Sequence, residues 1–209
     1  MQEKQKKWIL RIALYLIGIM VLALGITLNT KTNLGVSPII SMPYAVAQIF
    51  GYETGTAVFV AYLIFIVLQI VLLKGKFPPF QFLQVAASYL TSAFITIFDW
   101  ILPTPDQMGM RLLVLALAII LTGIGAAVTV DVNIVPNPAD GLARVLGERC
   151  GKNLFDFSAI VISLAIGFVG AGRPVGIGIG TVIAMVCTGR VIAAFNHFAK
   201  KKIEEITIA

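Results

Sequence analysis

The sequence predicts an all-α integral membrane protein: six transmembrane helices plus two short helices, arranged as a pseudo-symmetric inverted repeat. Three observations predict it. The 209 residues are 58% hydrophobic and only 12% charged, whereas a soluble domain carries about a quarter charged residues. Six apolar segments approach or reach the length of a bilayer core. The chain also matches itself when shifted by about 100 residues.

A crossing helix needs about 17 to 25 apolar residues. The segments 8–29, 54–73, 80–102, 110–130 and 175–198 meet this description, and 154–169, at 16 residues, comes close to it. Lys4, Lys6 and Lys7 precede the first, as in a signal peptide. That segment is too long for a signal core, and no good small-x-small cleavage site follows it. It is read as a first transmembrane helix that stays attached. Two more apolar segments, 38–50 and 138–150, read as helices of only about 18 Å at 1.5 Å per residue. That is too short to cross.

The distribution of basic residues tests the count. With the N-terminal lysines inside, six spans place Lys74, Lys76, Arg144, Arg149, Lys152, Lys200, Lys201 and Lys202 on the same side. Lys31, Glu53, Asp106, Arg111 and Arg173 then fall outside. Both termini are expected to be cytoplasmic, in a bacterial cytoplasmic membrane. An eight-span count, with both short helices crossing, would put Lys74 and Lys76 outside and ranks second.

The chain reads as one membrane domain, 1–209, with halves at 8–102 and 110–199. Arg11 matches Arg111, Gly25 matches Gly125, Asn33 matches Asn133, Pro38 matches Pro138 and Gly51 matches Gly151. Further on the shift drops to 97: Gly75 matches Gly172, Lys76 matches Arg173, and Phe98-Asp99 matches Phe195-Asn196. Three spans per half is an odd number, so the second half must enter the membrane inverted. Many secondary transporters are built this way.

The two polar turns hold the candidate site. Ser37 precedes Pro38 and Asn137 precedes Pro138, each an N-cap residue followed by proline at the first helical position. A helix start presents unpaired N–H groups and partial positive charge. If both short helices are re-entrant, their starts meet near mid-membrane. Asp140 follows Asn137 by three residues. It reads either as a site for a cation, a proton or a substrate amine, or as a capping-box carboxylate facing its own helix start. The expected lining is Ser37, Asn137 and Asp140, with Asn33, Asn133 and Arg190 behind them.

The segments Asn33-Leu34-Gly35-Val36-Ser37-Pro38 and Asn137-Pro138-Ala139-Asp140-Gly141, at these distances in a small six-span chain, resemble the YczE/YyaS/YitT group of bacterial membrane proteins. The resemblance covers nearly the whole chain. It is nearest the YczE-like branch, because no soluble domain follows Lys202. It implies a bacterial cytoplasmic-membrane protein and supplies neither a substrate nor catalytic residues.

Other residues are weighed singly. Arg190 lies inside the last apolar segment, where a cation is costly and usually faces a partner or water. Asp140 and Asp99 are its candidate partners, and snorkelling to the cytoplasmic face is the alternative. Asp99, beside Trp100, reads as an interfacial carboxylate. Asp156 suits the first turn of its helix. Gln69 and Gln84 read as amides that bond across helices or line a pathway. The glycine-rich stretch 170–180 follows a membrane helix and not a strand. It therefore reads as close packing, not nucleotide binding. Cys150 and Cys187 read as packing residues. The single histidine, His197, has no HExxH motif or nucleophile elbow around it, so no catalytic residue, metal site or cofactor is expected.

The leading functional expectation is therefore a small-solute transporter or permease, not an enzyme. Expected partners are membrane lipids, an unknown small solute, and a second copy or another membrane protein. Nucleic acid is excluded, since no basic stretch is interleaved with exposed aromatics. Two alternatives remain. An accessory or scaffold protein would tolerate alanine at Asp140. A substrate-capturing subunit of a larger transporter would co-purify with an ATPase.

Overall fold

The computed structural model describes residues 2–151 and 154–207, and among these every regular element is helical. The order is α1 (Gln2–Lys31), α2 (Pro38–Phe50), α3 (Thr54–Leu73), α4 (Leu83–Ile101), α5 (Met108–Asp131), α6 (Pro138–Cys150), α7 (Leu154–Ala171) and α8 (Ile179–Thr207). A 3-10 turn, Pro79–Phe82, leads into α4. Six helices are long and apolar enough to cross a bilayer: α1, α3, α4 with its leading turn, α5, α7 and α8. Lys152, expected among the cytoplasmic basic residues, lies outside the described residues, as does the side chain of Cys150.

Local chemistry explains the short helices. Ser37 and Asn137 hold extended backbone angles, and Pro38 and Pro138 start the helical turns that follow. Gly51, at φ 72°, ends α2 in the left-handed conformation that glycine adopts without a Cβ penalty. The last span differs from expectation. It begins at Ile179, not at residue 175, because the intervening glycine-rich stretch is held as a loop. Gly172 and Gly176 have φ of 66° and 74°, and the Gly176 carbonyl accepts a hydrogen bond from Val36 N at 2.8 Å.

α1 and α5 form the central pair. Arg11 reaches Val132, Gly18 lies against Val128 and Thr129, Leu22 against Gly125, and Gly25 against Thr122. Rising numbers in α1 meet falling numbers in α5, so the two helices are antiparallel. The contacts at Gly25 and Gly125 are images of each other under the 100-residue shift. A Cβ on Gly25 would lie 2.5 Å from Thr122 N, and one on Gly125 would meet the Leu22 backbone. Asn33 and Asn133 share the same φ, 54°. Part of the remaining packing is paired as well: α2 lies on α7 and α3 on α6, while α1 lies on α4 and α5 on α8, but the close packing of α3 on α4 has no comparable α7–α8 counterpart among the described residues.

Ile26, Ile40, Tyr62, Phe65, Ile95 and Leu142 belong to the main buried cluster, which gathers around the starts of α2 and α6. The periphery is apolar too. Ile12, Leu16, Val67, Leu113, Leu117 and Val161 are exposed on the crossing helices. Such surface is costly in water and is solvated by lipid chains.

Candidate functional site

The first polar turn folds back along α1. Asn29 accepts a hydrogen bond from Ser37 N at 2.6 Å and donates to Gly35 O at 3.4 Å. This sets Ser37 beside α1 and leaves its hydroxyl without a capping hydrogen bond. The second turn is clamped from α1. Arg11 Nε donates to Val132 O at 2.8 Å, another Arg11 nitrogen donates to Asn133 O, and Tyr15 OH donates to Val135 O at 2.9 Å. Asn137 caps α6 by accepting from Ala139 N at 3.1 Å. Its amide nitrogen donates to Tyr62 OH at 3.3 Å.

These constraints bring the starts of both short helices onto one cavity of about 40 Å³. Ser37, Asn137 and Asp140 line it, with Tyr62 of α3, Thr122 of α5 and Thr188 of α8. Leu22, Ile26, Ile40 and Ile192 close the remaining walls. The capping box weighed for Asp140 does not form: the Asn137 side chain accepts from Ala139 N, but among the described residues the Asp140 carboxylate does not reach back to the Asn137 N–H. Among the described residues the Asp140 carboxylate receives no hydrogen bond and makes no ion pair. A cavity of this size holds about three water-sized groups. A carboxylate, hydroxyls and an amide are ligands for a proton or a small hard cation.

The other expected residues do not join them. Arg190 is exposed on α8. Thr188 and Ile192 are four residues apart and share the face toward the cavity, and Arg190, half a turn from each, points the other way. The partnership expected between Arg190 and Asp140 therefore finds no contact. Asp99 is held by Lys31 instead, with Nζ 3.0 Å from Oδ1 and 2.7 Å from the Asp99 carbonyl. Asn133 is exposed, and Arg11 holds its carbonyl. Asn33 lies on a different cavity.

That cavity is a vestibule of about 480 Å³ on the first polar turn, lined by Thr30, Asn33, Tyr44, Gln48 and Arg173 and by the glycine-rich loop. An adjoining space of about 210 Å³ shares Thr30, Asn33, Tyr44 and Gln48 and adds Lys31 and Asp99. Val36 lines the vestibule and Ser37, the next residue, lines the central cavity. Between α7 and α8 the loop clasps this turn through backbone: Val36 N donates to Gly176 O and Gly180 N to Leu34 O, both at 2.8 Å. Gly35, at φ 102°, lies directly against Gly178. The glycines allow two backbones to touch and do not cradle a phosphate.

Gln69 and Gln84 form a buried reciprocal amide pair at 3.1 and 3.3 Å. Gln69 also donates to Pro138 O at 3.1 Å, which ties α3 and α4 to the start of α6. Sequence reasoning missed Tyr62, Asn29, Arg11 and Tyr15. A usable signal was present for the tyrosines. Each is a hydroxyl inside an apolar helix, and a buried hydroxyl needs a partner.

A sequence profile for a family of unknown function, DUF6198, matches residues 9–197. The chain belongs to the DUF6198 family. Among its relatives is the Bacillus subtilis protein described as uncharacterized membrane protein YczE, 27% identical over 191 residues, covering 90% of this chain and 86% of that one. The uncharacterized protein YyaS of the same organism is 24% identical over 200 residues, covering 90% and 95%. No solved structure matches this DUF6198 chain.

Proposed function

We propose that this membrane protein is a small-solute transporter or permease of the bacterial cytoplasmic membrane, with its site between the starts of α2 and α6. The carrying observation is that Ser37, Asn137 and Asp140, drawn from two turns 100 residues apart, line one cavity. In this reading both termini are cytoplasmic, α2 and α6 are re-entrant, and the halves are an inverted repeat. The antiparallel α1–α5 pair, with its mirrored contacts at Gly25 and Gly125, supports that arrangement. So does the size of α2 and α6, 13 residues each, or about 20 Å. Irregular backbone at membrane depth is tolerated where it is buried in protein or lines a cavity, and both polar turns satisfy this condition.

The test is a thermal-unfolding screen of the detergent-purified chain against small metabolites and ions, run beside Asp140→Asn. A ligand of the native state raises its stability with concentration. The expected result is a saturable shift that Asp140→Asn abolishes. If folded protein shows no shift with any compound, the accessory-protein reading takes its place, and a search for a co-purifying partner follows.

A further inference from the structure

We propose that the vestibule on the first polar turn is a second binding site, for a small solute carrying a carboxylate or phosphate group, with Arg173 as its anchor. Size separates it from the central cavity. At about 40 Å³ that cavity admits an ion or a few waters. The vestibule, at about 480 Å³, has the capacity of an ordinary small-molecule site.

Charge then selects the ligand. Arg173 lines the vestibule, and among the described residues its side chain has no hydrogen bond and no ion pair. Lys31 and Asp99, in the adjoining space, neutralise each other at 3.0 Å. Among the described residues no other carboxylate lines either space, so these walls carry one uncompensated positive charge. The side-chain donors of Asn33, Tyr44 and Gln48 are likewise unspent among the described residues. A guanidinium fork matches a carboxylate or phosphate bidentately, and amide and phenol donors complete the oxygen shell of such an anion.

The mount is rigid. The Arg173 carbonyl packs against Gly167, where a Cβ would lie 2.8 Å away. Ser163 Oγ donates to Val175 O at 3.5 Å, and Val36 N holds Gly176 O at 2.8 Å. The anchor is therefore placed by the same backbone clasp that closes the vestibule floor. This inference goes beyond the transport reading, because occupancy of the vestibule requires no passage across the membrane.

The test uses the full chain in an uncharged detergent. Thermal unfolding is followed against inorganic phosphate, succinate and dihexanoyl phosphatidylglycerol, each compared with sodium chloride at equal ionic strength. Phosphate or succinate is expected to give a saturable shift. Arg173→Gln should weaken that binding roughly tenfold or more. Arg173→Lys, which keeps the charge and loses the fork, should retain part of it. Lys76→Gln and Asp140→Asn should leave it unchanged. A shift with the lipid alone would assign the site to a headgroup and overturn the solute. Loss of the shift in Asp140→Asn would move the anion to the central cavity and overturn the vestibule. No shift with any probe, or an equal shift in Arg173→Gln, would overturn the proposal outright and leave the transport reading of the central cavity standing.

Discussion

Asp140 brings a carboxylate to a cavity otherwise walled by hydroxyls, an amide and aliphatic groups. Holding that charge without a partner is unfavourable, so Asp140→Asn is expected to leave the unliganded unfolding temperature unchanged or raise it. A lower temperature would mean that the carboxylate has a structural partner. Tyr62→Phe removes the acceptor of the Asn137 amide and is expected to destabilise by about 1 kcal/mol, read as a downward thermal shift. Ser37 and Asn137 were legible because a polar residue before proline is a local mark of a helix start, and Asp140 because it lies three residues after Asn137; of the three only Asn137 makes a capping bond. Arg190 was not legible. Which way it points depends on how α8 packs, and no local pattern specifies that. Tyr62 became a site residue only because the start of α6, 75 residues further on, is carried to it.

The elements divide in the same way. The bounds of α2 and α6 followed from Ser37-Pro38 and Asn137-Pro138 at one end and glycine at the other. The start of α8 did not, because Val175 and Ile177 give a loop the hydropathy of a helix. What holds that loop out of the helix is the bond its Gly176 carbonyl accepts from Val36 N, distant in sequence. Gly178→Ala would drive a Cβ into the Leu34 carbonyl. It is expected to cost about 1–3 kcal/mol, as overpacking does. Gly189→Ala is the control within α8. Nothing lies within 4 Å of its added Cβ, so it should be neutral or stabilise by up to about 1 kcal/mol. Thermal unfolding of the pair in parallel separates a close-packing role from a general intolerance of substitution. Gly141→Ala would place its Cβ 2.6 Å from Gln69 Oε1 and disturb the amide pair. A loss of about 1–3 kcal/mol is expected from the unpaired buried amides.

For the whole molecule, the order of landmarks in the two halves was enough to expect matched halves; the Gly25–Thr122 and Gly125–Leu22 contacts agree with that where α1 meets α5, whereas the packing of α3 on α4 has no comparable α7–α8 counterpart among the described residues. Orientation in the bilayer rests on charge bias and is directly measurable. With Cys150 and Cys187 replaced, a single cysteine at Thr104 should react with a membrane-impermeant thiol reagent in intact cells. One at Lys76 should react only after lysis. The reverse pattern would mean either an inverted six-span topology or eight crossings, because both put Lys76 outside and Thr104 inside; α4 lies between the two positions, so reaction at both from outside would contradict either count. The six spans were legible because length and hydropathy suffice for them. The outlines of the two cavities were not, since each collects side chains from segments far apart in sequence.

The closest approach in the central pair has a mechanical consequence. α1 and α5 touch backbone to backbone near Gly25 and Gly125, where no side chain separates them. Such a point is a fulcrum: tilting one helix on the other displaces it least there and most at the far ends. At one end lies the Lys31–Asp99 pair. At the other lies the clamp of Arg11 and Tyr15 on the second turn. Because Lys31 ties α1 to α4 and not to α5, only the Arg11 and Tyr15 clamp spans the pair itself, and a tilt of α1 on α5 acts on that clamp at the end of the lever.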